Sequence, residues 1–434
     1  MASTRGSRLQ RVLWSALLLA WPAGAVFGQE TPQQLWQVRF DLDHRDDRAT
    51  AGAFLKGDVV VGGTATLSHA NGGDVVTWLG RWNGDTGALR WSLDVDGIST
   101  PLAIEADRKR ILVAGRGRRP LQALSGRDGR TLWESRRGSL GTLAWLDLAL
   151  RGKVVYAAGS QQAQDSPRQL ALEARRVRDG KILWSVHEPA TATAGSGWDE
   201  ARLLSLDGGR LFVAGSQTGE TGQEVEFVSA RRTSDGEEVW RVESGPVLQG
   251  VEDLVASGGR VVAIQRSGGV VRVTALEAST GTVVWTTERG ADVPASYRPG
   301  GAVVSGGILV LGIDAVGGQG QGASNDLLFL GLRLADGREL WSDRVRGAYR
   351  TGGANVTSQE STVIGGGVVF TGAESAETVL RGYGRARGSR RWELRESPFR
   401  PSVLRVRGRK LLAAGLTPQA PSDAILRVYS LPPG

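Results

Sequence analysis

The sequence predicts an all-β fold: an eight-bladed β-propeller with four-stranded blades, its ring closed by pairing the N- and C-terminal strands. Three observations carry this expectation. A tryptophan recurs at intervals of 42 to 56 residues, at Trp36, Trp91, Trp133, Trp184, Trp240, Trp285, Trp341 and Trp392. In seven of these copies a glycine stands four residues earlier, at Gly87, Gly129, Gly180, Gly236, Gly281, Gly337 and Gly388. The stretches between are short apolar runs rich in Val, Leu and Ala, and the 434 residues include 62 Gly but only 15 Pro. Fixed self-similarity at this period, with turn residues between short strands, is the signature of a repeat ring.

The elements of one repeat follow in order. Strings such as RDGRTLW, SDGEEVW and STGTVVW place a glycine between two apolar runs, where a tight turn needs positive φ. The tryptophan then opens the next strand. Ahead of each turn lies an apolar strand such as QLALEA or VRVTALEA, and ahead of that another, such as ILVAG or LFVAG. A weaker strand ending in a tight turn, as in LLSLDGGR, comes first. Four strands make one blade. An indole on each outer strand can cover the neighbouring blade and bury about 200 Å². The small residue ten positions before it, as at Ala123, Ala174, Ala230 and Ala275, leaves room for that ring. Residues 402–434 supply three strands without a tryptophan, and LWQVRFD near the N-terminus supplies the missing fourth. Leu35–Phe40 is therefore expected to pair with Ile425–Ser430, removing the free edges of an open ring.

The N-terminus reads as an export signal. Arg5, Arg8 and Arg11 precede an apolar stretch from Val12 to Ala20, broken by Pro22 and Gly24 and followed by small residues up to Gly28. Residues 1–28 are expected to be cleaved, leaving 29–434 as one propeller domain, periplasmic or secreted, without a membrane span. A retained anchor is the rival reading, and Pro22 and the short apolar core argue against it. Loss of three arginines with the signal would lower the net charge from +8 to +5. That surplus fits either a general preference for Arg over Lys or a face for an acidic partner or anionic headgroups.

The chain has no cysteine, so disulfides, thiolate chemistry and a lipid-modified cysteine are excluded. Its three histidines, His44, His69 and His187, lack metal-ligand spacing. The acidic run Asp41 to Asp47 lacks the glycine and terminal glutamate of a calcium loop. Gly317 to Gly322 is followed by no Lys-Ser/Thr and reads as a loop. No catalytic, cofactor-binding or metal residue is assigned.

The turn pattern resembles the pyrroloquinoline-quinone (PQQ) repeat, A-x-D-x-x-T-G-x-x-x-W. Thr86-Gly87 before Trp91 and Thr280-Gly281 before Trp285 are the nearest copies, and the resemblance covers nearly all of residues 35–434. The Asp position departs throughout, reading Asn83, Ser125, Arg176, Arg232, Glu277, Arg333 and Gly384. The one Trp-Asp pair, Trp198-Asp199, argues against a WD-type ring. The family includes quinoprotein dehydrogenases, known for a vicinal Cys pair over the quinone and a Ca²⁺ held by Glu and Asn beside an Asp base. It also includes eight-bladed outer-membrane assembly proteins with no catalytic site. Here the Cys pair is absent and no Glu, Asn and Asp set can be placed by motif, so the resemblance implies the fold and argues against quinone chemistry. The expected function is a non-catalytic, monomeric scaffold for protein–protein or ligand binding, without cofactor or nucleic acid. Its partner would be a protein or envelope component, an acidic one among the candidates. The alternative is a quinone-dependent dehydrogenase or another enzyme of the central channel.

In a four-stranded blade the second-to-third and fourth-to-first connections share one face. These are the longer ones, at 66–74, 161–168, 186–200, 216–224, 291–299, 315–326 and 342–360. They carry Trp198, Asp199, Glu200 and Tyr297, the residues proposed for a binding face. The opposite face has the tight turns, with Arg127, Arg130, Arg178 and Arg338. Loops on a rigid scaffold carry function disproportionately, so the long-loop face is the expected binding surface.

Overall fold

The computed structural model describes residues 31–432, apart from 41–46, 67–74, 136–140, 164–165, 189–198, 220–221, 244–248, 268, 291–295, 317–323, 351–361, 366–367, 375–377, 385–386, 397–399 and 418–422. Every regular element among these residues is a β-strand, thirty-two in all. They form antiparallel sheets arranged as a β-propeller. The 47–94, 200–243, 249–289, 296–350 and 362–396 segments each fold into one four-stranded sheet. A sixth sheet combines three strands of 400–430 with Gln33–Phe40.

One sheet differs from the expected pattern. The 100–134 and 141–188 units are joined into a single eight-stranded sheet. The strand Gly141–Arg151 starts early enough for Ala144 to pair with Arg116, whose other neighbour is Thr100. That one residue pair bridges two otherwise separate units, so the merger is local.

The termini meet as expected. Gln33–Phe40 pairs antiparallel with Ala424–Ser430, in a register running from Gln33↔Ser430 to Phe40↔Ala424. Ala424–Ser430 also pairs on its other side with Lys410–Leu416. The junction packs Trp36, Phe40, Val403, Leu426 and Val428 into one buried cluster with Val59 and Trp82 of the following sheet.

The recurring Trp and Gly act on each other across neighbouring units. The indole N–H of Trp133 donates to Val177 O at 2.8 Å, Trp184 to Thr233 O at 3.0 Å, Trp240 to Ala278 O at 3.0 Å and Trp285 to Leu334 O at 2.9 Å. Trp36 and Trp91 reach Gly84 and Gly126 in the same way. Each acceptor lies three residues before the next unit's turn glycine. Those glycines have φ between 60° and 78°. A Cβ at Gly180 would stand 2.6 Å from the Trp133 ring, and one at Gly236 would stand 2.7 Å from that of Trp184. Two requirements therefore fall on one residue: positive φ, and no side chain under the stacked indole. The small residue ten positions earlier lies directly opposite the tryptophan, as in Ala174↔Trp184 and Ala230↔Trp240.

The departure from the family's Asp has a structural reason. In three units Arg takes that place and pairs with an Asp three residues on: Arg176–Asp179 at 2.6 Å, Arg232–Asp235 at 3.2 Å, and Arg333–Asp336. The Asp also accepts a backbone N–H two residues further on, as Asp179 does from Lys181. In these three units the turn thus carries an Arg–Asp pair, with the Asp directly before the turn glycine.

Candidate functional site

The first strand of each unit borders the central channel, and side chains there tie neighbouring units together. Thr50 Oγ1 donates to Pro101 O at 2.7 Å, and Ser402 Oγ donates to Ala49 O at 2.6 Å. Asp147 accepts from Leu204 N at 2.8 Å, Ser205 from Ala256 N at 2.8 Å and Asp253 from Ala302 N at 2.6 Å. Both aspartates also accept the N–H of the following residue. Burial pushes the Asp147 carboxyl up to about 7, with a smaller push from the charges of Glu105 and Asp253. Burial likewise raises Asp253 to about 6. Glu105 is raised by burial and partly relieved by Arg405. With both oxygens engaged by backbone donors, these carboxylates are arranged as fasteners between units.

That arrangement fixes a pH dependence. A carboxyl whose folded pKa is raised favours the protonated native state. The stability it contributes is full below its unfolded value near 4. It is lost as pH rises through about 6 for Asp253 and about 7 for Asp147. Asp147→Asn removes the titration, so its melting temperature should gain on wild type as pH is raised through this window. Parallel melting curves against pH would contradict the assignment.

A second feature lies on the long-loop face. A cavity of about 360 Å³ opens where the 100–134, 141–188 and 200–243 units meet. Arg116, Arg118, Arg168 and Glu200 supply its charge, and Thr142 and Ser160 its hydroxyls. Its floor includes Leu143 and Leu146. Arg168 and Glu200 form a loose pair at 3.5 Å. Arg116 and Arg118 are exposed and have no carboxylate partner among the described residues. At Gly159 a Cβ would stand 1.8 Å from Ala144 O, so the two strands that carry Ala144 and Ser160 leave no room for a side chain there.

The residues named for the binding face separate. Glu200 lines the cavity. Asp199 is buried, 3 % exposed, and its carboxylate accepts the Thr218 N–H at 2.7 Å, which ties down the chain entering the unit. Trp198 lies outside the described residues. Tyr297 has only its backbone described, in the strand Ser296–Ser305 paired with Ala315. The expected loops at 186–200 and 291–299 are shorter than anticipated: the outer strand Ile182–Glu188 takes in 186–188, Glu200 opens the next strand, and Ser296–Ser305 takes in 296–299. Sequence reasoning missed Arg116, Arg118 and Arg168: the first two, from one unit, meet Arg168 of the next only through packing of the units. Among the described residues, no group of three His, Cys, Asp or Glu side chains is placed to hold a metal, and no helix is long and apolar enough to cross a membrane.

The family of the outer membrane protein assembly factor BamB matches residues 24–218 and 171–412, two overlapping placements of the kind a repeat allows. BamB from Moraxella catarrhalis superposes with a TM-score of 0.54 at 14% identity, covering 92% of this chain and all 100% of that one. The quinohemoprotein alcohol dehydrogenase ADHIIG from Pseudomonas putida HK5 gives 0.60 at 12% identity, covering 92% of this chain and 76% of that one. The computationally designed Ika8 protein gives 0.57 at 16% identity, covering 92% and 100%. At such identities the likeness is one of fold. No curated protein sequence matches the chain. The family match spans most of the sequence and the Trp–Gly junctions carry the repeat, so the chain belongs to the BamB family of PQQ-like β-propellers.

Proposed function

We propose that this chain is an exported, non-catalytic, eight-bladed propeller that binds its partner through the long-loop face. The observation that carries the reading is the cavity there, lined by Arg116 and Arg118, which have no neutralising carboxylate among the described residues. The arginines of the tight turns contrast with these, since Arg176, Arg232 and Arg333 are each paired with a neighbouring aspartate. Support for the blade count comes from thirty-two strands in sheets of four, if the eight-stranded sheet is divided at its single bridging pair. Residues 1–28 are read as the signal that delivers the domain to the periplasm or beyond. The family's link to outer membrane protein assembly supports a protein or envelope partner.

The competing enzyme reading draws on the likeness to a quinohemoprotein dehydrogenase. The absence of cysteine speaks against it, as does the use of Asp147 and Asp253 as inter-unit acceptors. Incubation with pyrroloquinoline quinone and Ca²⁺ is expected to give no stoichiometric uptake in the absorption spectrum and no dye reduction with alcohols or sugars. Tight uptake with turnover would replace the scaffold reading with the enzyme.

A further inference from the structure

We propose that the arginine-lined cavity takes a carboxylate on a short aliphatic stem, such as the C-terminal residue of a peptide. This inference rests on the long-loop face being the binding face. Among the described residues the lining includes three arginines, Arg116, Arg118 and Arg168, and one acidic residue, Glu200. Guanidinium forks match carboxylates in a bidentate fashion that a point charge cannot reproduce. Arg168 is paired with Glu200 at 3.5 Å, while Arg116 and Arg118 have no carboxylate partner among the described residues.

The rest of the lining narrows the ligand further. Leu143 and Leu146 give the cavity an apolar floor beside its charged rim, which suits an aliphatic body and gives nothing to a bare inorganic ion. Thr142 and Ser160 add hydroxyls able to donate to a carboxylate or to a peptide carbonyl. A volume of about 360 Å³ lies at the small end of ligand sites and admits a terminal residue or dipeptide. Ala144 pairs with Arg116 and packs closely on Gly159, so the strands that carry the lining are joined across the two units.

Calorimetric titration of the full mature chain with N-acetyl-Ala-Leu, its C-terminal carboxamide and inorganic phosphate tests the inference. Saturable binding of the free acid is expected, weakened about tenfold or more in the carboxamide, with phosphate weaker than the acid. The exposed double variant R116Q/R118Q should lose about tenfold for the acid while keeping the wild-type melting temperature. Absence of saturable acid binding would overturn the proposal. So would equal binding of the carboxamide, equal or tighter binding of phosphate, or unchanged affinity in the double variant. If R116Q/R118Q is less stable, R116K/R118K keeps the charge but removes the fork, and unchanged affinity there would equally overturn it. Capture of a partner at the long-loop face despite such a result would reject only this ligand, whereas loss of capture there would reject the wider reading.

Discussion

Deletion of residues 425–434 is expected to leave no soluble, cooperatively folding protein. The strand Ala424–Ser430 is an interior strand of the closing sheet, paired on one side with Gln33–Phe40 and on the other with Lys410–Leu416. Leu426, Val428 and Tyr429 on it are fully buried. Full burial of one such side chain is worth about 1.5–3 kcal/mol. Three of them approach the whole stability of a typical domain, about 5–15 kcal/mol. The truncation would also orphan the N-terminal strand and bare two sheet edges to aggregation. Arg427 would be lost as well, with its 3.3 Å ion pair to Glu396 of the neighbouring sheet. Soluble expression and the melting transition of the truncated chain check this, and an unchanged melting temperature would contradict closure by the termini.

A large effect is also expected from a single methyl group at a unit junction. Gly236 has φ of 78°, and an added Cβ would lie 2.7 Å from the Trp184 ring. Gly208 has φ of 53° with nothing within 4 Å, so it serves as a control for backbone strain alone. Gly208→Ala should cost about 1–2 kcal/mol, the penalty of a left-handed conformation. Gly236→Ala should cost about 1–3 kcal/mol more, because the indole must shift and strain its packing. That shift also endangers its 3.0 Å bond to Thr233 O. Trp184→Ala itself should cost about 3–5 kcal/mol. In that background Gly236→Ala should fall to the Gly208→Ala level, since nothing remains to clash with. Denaturant melts of the four variants decide the matter. Equal costs for Gly236→Ala with and without the indole would separate the two residues energetically and undo the explanation of the repeat.

What the sequence made legible was whatever repeats at a fixed offset. The turn glycine, the tryptophan and the alanine opposite it recur because each unit makes the same contact with the next. The closing strand was legible because one end carried a tryptophan-led strand without partners and the other end lacked one. Trp78, Trp82 and Trp145 are as buried as any residue in the protein, at 0–1 % exposure, yet obey no shared spacing. They fill local gaps, as where Trp78 meets Phe40 at 4.8 Å, so no periodic argument finds them. A further signal was visible but unread: glycines such as Gly63, Gly159 and Gly215 lie within the second strands. A Cβ at any of them would stand 2.0 Å or less from a carbonyl of the inner strand. They accommodate the bulges of those inner strands, as between Trp145 and Asp147 or Ala201 and Leu203. The channel aspartates and the arginine cavity were out of reach because each joins residues from different units, and their chemistry exists only once the ring has formed.

The most direct test of the scaffold account uses the absence of native cysteine. Single cysteines at Thr142 and Arg118 on the long-loop face, and at Arg127 and Arg178 on the tight-turn face, can each carry a photoactivated cross-linker. Thr142, Arg118, Arg127 and Arg178 are all exposed, so reagent reaches both faces. Irradiation in intact cells is predicted to give one discrete cross-linked adduct from the first two positions and none from the second two. Adducts confined to Arg127 and Arg178, or the same adduct from all four positions, would contradict binding through the long-loop face.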